Sequence, residues 1–190
     1  MEEQIMNMPA VALRGLTILP GMIAHFDISR ERSLRAVEEA MEQDQKIYLV
    51  TQRNVDSEDP TQEDLYQMGI VADIKQVVRL QNDVVRILVD GISRAALLGF
   101  TGNEKYLEAE ICYCDSNADS LPEDLREAML LGVREAFHRY AAVVGKISKE
   151  LIRQIDQYED LEKLIDYVTN NLPVSYEPVS YTHLRAHETK

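Results

Sequence analysis

The sequence predicts an α+β protein in which a small β-barrel with one packed helix is followed by an α-helical bundle segment. The first observation behind this prediction is a long β-hairpin pattern over Gly69–Leu98, typical of strands with one face buried. The second is the presence of about six strand-like segments and one amphipathic helix before Cys114. The third is a change to helical periodicity after Cys114, which indicates a second unit.

Composition limits the class of protein. The chain has 190 residues, of which 45% are hydrophobic and 28% charged, as in soluble globular proteins of one or two domains. No apolar run approaches the roughly 20 residues that a membrane-spanning helix requires. The N-terminus, MEEQIMNMPAV, carries acids where a secretory signal would carry basic residues. We therefore expect a cytoplasmic protein with no membrane partner.

The charge balance argues against nucleic acid as the main partner. The formal net charge is −13 and the pI is near 4.7, whereas affinity for a phosphate backbone depends on clustered lysine and arginine. The densest basic group consists of Arg30, Arg32 and Arg35. It falls on the first predicted helix beside three glutamates, so we expect no nucleic-acid partner.

The first predicted strand is MPAVAL at 8–13, which ends at an Arg14-Gly15 turn. The apolar run LTILPGMIAHFDI follows and is broken at Pro20-Gly21, because proline removes a hydrogen-bond donor that a central strand needs. His25 is expected on the outer face of this run. The inner face is expected to carry Met22, Ala24 and Phe26, continued by Ile18.

The first helix is predicted over about Glu31–Gln45, with Ser29 as its N-cap. The strand KIYLVT at 46–51 then completes a β-α-β passage. Residues 54–64 are acidic and polar and are predicted to form a loop. The apolar stripe of the helix is expected to contain Leu34, Val37, Ala40 and Met41.

The two arms of the central hairpin carry apolar rows that set its register. A two-residue turn at Asn82-Asp83 would place Val78 opposite Ile87, so that the rows meet. A three-residue turn would set Val78 against Arg86 and break both rows. We therefore predict the two-residue turn, with a bulge or bend at Gly91. The rows contain Ile70, Ala72, Ile74, Val78 and Leu80 in the first arm, and Val85, Ile87 and Val89 in the second.

A last strand is predicted in KYLEAEICYC at 105–114, and it carries both cysteines of the chain, Cys112 and Cys114. A zinc site needs about four ligands, and no second Cys or His pair accompanies this one. Positions i and i+2 on one strand face also make poor disulfide geometry. We predict that both cysteines act as small buried or half-buried hydrophobes and that no metal or other cofactor is bound.

The segment DSNADSLPED reads as a linker that starts a helix, with Ser120 as N-cap. This helix is predicted to run to about Val144 and to end at Gly145. Two shorter helices are predicted in ISKELIRQI and YEDLEKLIDYVTNNL, and the three together form a bundle. The expected stripes are Leu125, Met129, Val133, Phe137, Tyr140 and Val144 in the first helix, and Leu161, Leu164, Ile165 and Val168 in the third.

Catalytic motifs are missing from the sequence. It contains no P-loop, no G-x-S-x-G and no H-E-x-x-H. His138 is predicted to lie on a helix surface. His183 and His187 stand at i and i+4, but Glu188 follows them, so we interpret the pair as a chance arrangement. No nucleophile, base and orienting group occur together, and the chain is not predicted to be an enzyme.

These segments resemble the N-terminal region of the bacterial Lon proteases. The resemblance rests on PAVALRGLTILPGM, ISRERSLRAVEEAMEQDQKIYLVTQ, GIVADIKQVVRLQNDVVRILVDGISRA and DLEKLIDYVTNNLPVS, and spans about residues 8–176. It implies a PUA-like β-barrel domain at 1–115 and a helical subdomain at 116–176. It also implies a role in recognising unfolded or degron-bearing proteins and in assisting hexamer assembly. The ATPase module and the Ser-Lys protease module of the family have no counterpart in this sequence.

Substrate binding by such a module would use apolar side chains near loops or sheet edges. Four residues meet this condition, although core packing explains each of them equally well: Met22, Ile23, Phe26 and Tyr66. Two other functions stay open. One is a free-standing adaptor or protein-interaction module, and the other is RNA binding, since PUA-like barrels elsewhere bind RNA. Self-association through the helical part is a further expectation.

The last residues, 177–190, depart from the family pattern. The sequence EPVSYTHLRAHETK shows no helical apolar stripe and holds two of the four histidines. We predict a disordered tail and a reading frame that leaves the natural gene near Tyr176. A contiguous native gene encoding the tail in frame would refute this prediction.

Overall fold

The computed structural model describes residues 5–114 and 120–172, which fall into two compact units divided after Cys114. The first unit contains six strands, one α-helix and a 3-10 turn at Gln62–Asp64 among its described residues. Its main elements are β1 (Ile5–Leu13), β2 (Ile23–Ile28), α1 (Glu31–Glu42), β3 (Lys46–Thr51), β4 (Met68–Arg79), β5 (Val85–Phe100) and β6 (Glu108–Tyr113). The predicted 177–190 tail lies outside the described residues.

The strands form one mixed sheet in the order β2-β5-β4-β3-β1-β6. All pairings are antiparallel except that of β1 with β3, which are parallel and connected through β2 and α1. The long strand β5 pairs with β4 and also with β6, so five strands form a closed ring of pairings. In the part of the chain that the structure describes, β2 pairs with β5 alone and is an edge strand.

The central strands are buried on both faces, beyond the one-face burial that the sequence predicts. In β3, Ile47 and Leu49 belong to a hydrophobic layer shared with α1, whereas Tyr48 and Val50 belong to a second layer on the opposite face. Successive side chains of a strand point to opposite faces. The sheet therefore separates two apolar layers, and α1 contributes to the first of them.

The central hairpin exists, but its register differs from the predicted one. Val78 lies opposite Arg86, and Val77 lies opposite Ile87. The turn has three residues, 81–83, because the Leu80 N–H donates to the Val84 carbonyl oxygen at 2.8 Å. The last two turn residues have φ of 58° and 56°. The prediction of a two-residue turn is therefore wrong.

A β-bulge at Lys75 is the cause of this error. Ile74 and Gln76 pair with consecutive residues of β5, so Lys75 is an extra residue in the ladder. A bulge of this kind exchanges the two faces for every residue beyond it. Val78 and Leu80, which were predicted on the buried row, are 39% and 40% exposed. Val77 on the other face is also 36% exposed, so this end of the hairpin extends beyond the apolar layers.

The predicted irregularity at Gly91 is confirmed, with Ile92 as the extra residue of β5. The Gly91 N–H donates to the Met22 carbonyl oxygen at 3.0 Å, and the Gly91 carbonyl oxygen accepts from the Gly21 N–H at 2.8 Å. A Cβ atom at position 91 would lie 2.3 Å from the carbonyl oxygen of Leu19. Only glycine lets the loop before β2 approach β5 this closely.

Helix α1 begins at Glu31 as predicted, but its cap residue and its C-terminal end differ from the prediction. Its N-cap is Arg30, in extended backbone and with no capping side chain, so the prediction of Ser29 as the cap is wrong. The helix ends at Glu42, and Gln45 adopts a φ of 64° that leads into β3. Met41 was predicted on the apolar stripe but is 39% exposed.

The second unit consists of α2 (Glu123–Val144), α3 (Lys149–Gln157) and α4 (Leu161–Asn171). The helix α2 starts after Pro122, not at Ser120, and it ends at Gly145 as predicted, with a φ of 66°. The N-cap side chains of α3 and α4 accept hydrogen bonds from backbone N–H groups three residues later. Within the described residues, no helix combines the length and hydropathy needed to cross a membrane.

The apolar stripe predicted for α2 is correct in its middle and wrong at its ends. Phe137 is buried, but Leu125, Met129 and Val144 are 45%, 40% and 37% exposed. The buried face of α2 is rotated toward residues outside the predicted stripe, because the positions that face α3 and α4 decide burial. The core of this unit contains Leu130, Phe137, Ala141, Ile155, Leu161 and Leu164.

Candidate functional site

The strand β2 and the loop before it carry three of the four residues predicted to bind substrate. Ile23, the first residue of β2, is 68% exposed on the outer face. Met22 and Phe26 are half-buried against the apolar layer that includes α1, in keeping with the predicted inner row. The structure thus places these three side chains along one edge of the sheet, two of them partly engaged in packing.

Tyr66 lies elsewhere in the first unit, beside the end of β3. Its N–H donates to the Thr51 carbonyl oxygen at 3.0 Å. The guanidinium carbon of Arg53 lies 5.1 Å from the centroid of the Tyr66 ring, within the range of a cation–π contact. The Arg53 Nε also donates to the Leu65 carbonyl oxygen at 2.8 Å. Half-buried Tyr66 therefore contacts Arg53 within the first unit, and its contact with substrate stays a prediction.

A cavity of about 240 Å³ borders the second half of β2. Its walls combine apolar side chains with polar ones, including Arg14, Arg30 and Asp27. Both arginines donate to the Ser57 carbonyl oxygen, at 2.9 Å and 3.4 Å. Sequence reasoning missed this cavity because its lining comes from separated segments: Val11–Leu16, Phe26–Arg30 and Ser33.

A bidentate ion pair fixes β2 to β5. The Arg86 Nε and Nη2 atoms donate to the two carboxylate oxygens of Asp27 at 2.7 Å and 2.9 Å. The hydrogen bond and charge of Arg86 hold the pKa of Asp27 below its ordinary value, and Asp27 in turn raises the pKa of Arg86. Because both side chains are solvent-exposed, the pair orients the strands more than it stabilises them.

The arginines of α1 and its N-terminus are largely engaged within the protein. Arg32 pairs with Asp59 at 3.0 Å, and Arg35 pairs with Glu31 at 2.5 Å. The third arginine of the group, Arg30, donates to the side-chain oxygen of Gln52 at 2.8 Å. Two of the three positive charges are therefore offset by carboxylates.

The cysteines and histidines offer no catalytic or metal-binding arrangement in the part of the chain that the structure describes. Cys112 is buried and Cys114 is half-buried, as predicted. His25 is exposed on β2, and the exposed His138 Nε2 lies 2.8 Å from Asp156 Oδ1 on the surface of the second unit. Residues 5–114 and 120–172 contain no group of three or more His, Cys, Asp or Glu side chains that could hold a metal ion. The His183–His187 pair lies outside the described residues.

The family model for the ATP-dependent protease La (LON) substrate-binding domain matches residues 7–179. This chain belongs to that family. It is 36% identical over 177 residues to a Lon protease of Lachnoclostridium phytofermentans and 35% identical over 169 residues to one of Clostridioides difficile. These alignments cover 93% and 87% of this chain but 22% of each relative. The chain thus spans about a fifth of the length of these Lon proteases.

The fold agrees with this assignment. The N-terminal domain of the Lon protease from the Mycobacterium avium complex superimposes with a TM-score of 0.73 at 16% identity, covering 94% of this chain and 89% of that one. The resemblance found in the sequence is confirmed: the chain is a mixed sheet followed by helices, as in Lon N-terminal domains. It carries the substrate-binding domain, and the catalytic modules of a Lon protease are not part of it.

Proposed function

We propose that this chain recognises unfolded or degron-bearing polypeptides for a Lon-type ATP-dependent protease and that it contacts them along β2. The observation that carries the proposal is the 68% exposure of Ile23, the highest of any large hydrophobic residue among the described residues of the first unit. Half-buried Met22 and Phe26 adjoin it on the same edge. Unfolded chains present apolar segments without a fixed shape, so an exposed apolar edge suits them.

The finer features of the family form part of this proposal. The closed ring of β5, β4, β3, β1 and β6 is what a PUA-like β-barrel requires. The proposed domains are a barrel at 1–115 and a helical subdomain at 116–176, in a cytoplasmic protein. Hexamer assembly is proposed for the full-length protease, to which this domain would contribute weak self-association.

Protein substrates are favoured over RNA by the charges around α1. Carboxylates pair with Arg32 and Arg35, and the chain has a net charge of −13. Affinity for RNA would need unpaired, clustered cations. We therefore propose no nucleic-acid partner, and an RNA gel-shift that stays negative at low salt is the expected result.

Fluorescence anisotropy with a labelled, permanently unfolded protein tests the proposal. Ile23→Thr keeps a β-branched side chain but removes apolar area, so binding should weaken by roughly fivefold. Ile92→Thr is the matched control, because Ile92 is also a strand isoleucine and is 47% exposed on β5. Absence of binding by the unmodified chain at high micromolar concentration would refute the proposed function. Equal weakening by both variants would refute the role of Ile23.

A further inference from the structure

We propose that β2 binds its substrate by strand addition, in which an extended segment of an unfolded polypeptide pairs with the open backbone edge of β2. This inference rests on the proposed function and specifies how the substrate is held. Recognition would depend on main-chain hydrogen bonds, which any sequence can form, and on one pocket for an apolar side chain.

The direction of the hydrogen bonds along β2 follows from its contact with Gly91. The Gly91 N–H donates to the Met22 carbonyl oxygen, so the Met22 C=O group points toward β5, whereas its N–H donates to the Leu19 carbonyl oxygen. In an antiparallel ladder this direction alternates from one residue to the next. The pairing of β2 with β5 shows no register shift. Three residues therefore direct their N–H and C=O groups to the open side: Ile23, His25 and Asp27.

This open edge lacks the features that usually protect an edge strand. Proline, lysine and bulges are common protective devices, and Ile23–Ile28 contains none of them. Its acidic residue, Asp27, is held by Arg86 on the neighbouring strand. Within residues 5–114 and 120–172, β2 has no strand partner other than β5. An incoming strand would meet accessible backbone and the exposed side chains of Ile23 and His25.

The 240 Å³ cavity supplies the pocket that strand addition needs for selectivity. Phe26 and Ile28 line it from β2, and Leu16 lines it from the preceding loop. Side chains of an added strand alternate between two faces. Every second one would point toward the face that carries Phe26, where the cavity lies. The expected ligand is thus an extended segment with a large apolar residue.

The charges favour an unfolded segment over a second copy of this chain as the occupant. Edge-to-edge pairing of two copies would bring together two chains of net charge −13. The cavity is lined instead by Arg14 and Arg30, which donate to the neutral oxygens of Ser57 and Gln52, while its carboxylate, Asp27, is paired with Arg86. These cations suit a segment that carries a carboxylate near its apolar residue.

A proline at position 25 tests strand addition directly. His25→Pro removes one outward N–H and puts a ring in the path of the added strand, a change that edge strands tolerate. The probe is reduced, carboxyamidomethylated α-lactalbumin, and native α-lactalbumin is the folded control of similar composition. His25→Pro should weaken binding of the unfolded probe at least fivefold. His25→Thr, which keeps the N–H, should bind within twofold of the unmodified chain.

Hydrogen exchange of the unmodified chain provides a second measurement that does not depend on the folding of the proline variant. Amides of Ile23, His25 and Asp27 should exchange more slowly when the unfolded probe is added. If the unmodified chain does not bind the probe, the proposed function fails and strand addition fails with it. If the chain binds but His25→Pro binds equally well and these amides stay unprotected, strand addition alone is overturned. Analytical ultracentrifugation gives a further outcome. If the unmodified chain forms a dimer that His25→Pro abolishes while probe binding is retained, the occupant of the edge is a second copy and strand addition of substrate is overturned.

Discussion

Replacing Gly91 by alanine should disturb the contact that positions the start of β2. The new Cβ atom would lie 2.3 Å from the Leu19 carbonyl oxygen and 3.3 Å from Ile18 Cγ2. Because non-bonded carbon and oxygen atoms do not approach this closely, the loop at Leu19 has to move by about 1 Å. That movement draws the backbone of Gly21 and Met22 away from β5.

The expected cost follows from the contacts that the movement weakens. Two hydrogen bonds join this loop to Gly91, at 2.8 Å and 3.0 Å, and each contributes about 0.5–1.5 kcal/mol. Strain from overpacking adds about 1–3 kcal/mol to the destabilisation. The lower conformational entropy of alanine in the unfolded chain offsets about 0.4–1 kcal/mol of it. We expect Gly91→Ala to lower the free energy of unfolding by about 2 kcal/mol. It should also weaken binding of unfolded protein, since Ile23 follows the displaced loop.

Urea unfolding followed by circular dichroism and tyrosine fluorescence measures this effect, since the chain has nine tyrosines and no tryptophan. Gly99→Ala is the matched control on the same strand, because the nearest atom to its new Cβ, Gln62 Oε1, is 3.9 Å away. The control should change stability by less than about 0.5 kcal/mol. A Gly91→Ala protein as stable as this control would refute the close-approach explanation.

Two predictions concern titratable groups. Tyr48→Phe should lower the free energy of unfolding by about 1 kcal/mol at neutral pH, because the buried Tyr48 hydroxyl donates to the Ala95 carbonyl oxygen at 3.1 Å. Burial raises the pKa of Tyr48 in the folded state, so the unfolded chain loses this proton first and stability should fall above about pH 10. Urea titrations across that range should show a smaller loss in the variant. Arg86 lowers the pKa of Asp27, so Arg86→Gln should raise the NMR titration midpoint of Asp27 toward the ordinary value of 3.8; an unchanged midpoint would contradict the ion pair. The stabilisation from this pair should be present above about pH 4 and lost as pH falls below it.

The predicted elements of the first unit agree closely with the structure wherever the pattern is local. The segment KIYLVT is β3 at Lys46–Thr51, and the irregularity at Gly91 occurs within β5. The start of α1 at Glu31 was predicted but its cap residue was not, because Arg30 ends the preceding extended segment and takes the cap position in place of Ser29. Local propensity indicates that a helix begins in this region, but the packing of its first turn decides which residue is the N-cap.

The surroundings of the four candidate substrate-binding residues were predicted only in part. Proximity to a predicted loop selected Ile23, which the structure places exposed at the start of the edge strand β2, and its contact with substrate stays a prediction. The same criterion also selected Tyr66, which the structure places beneath Arg53. The cavity beside Phe26 had no sequence signal, since its walls come from segments whose proximity depends on the sheet topology.

By itself, the sequence determined the order and type of the elements and the family. These features depend on short-range periodicity and on the succession of motifs along the chain. Only the tertiary structure decided which strand pairs with which, and it showed that Lys75 is a bulge residue, so that Val77 and not Val78 pairs with Ile87. It also showed that β2 keeps an open side. The physical reason is that a strand's pattern specifies which side chains are buried, whereas its hydrogen-bonding partner and register are set by contacts with residues distant in the chain.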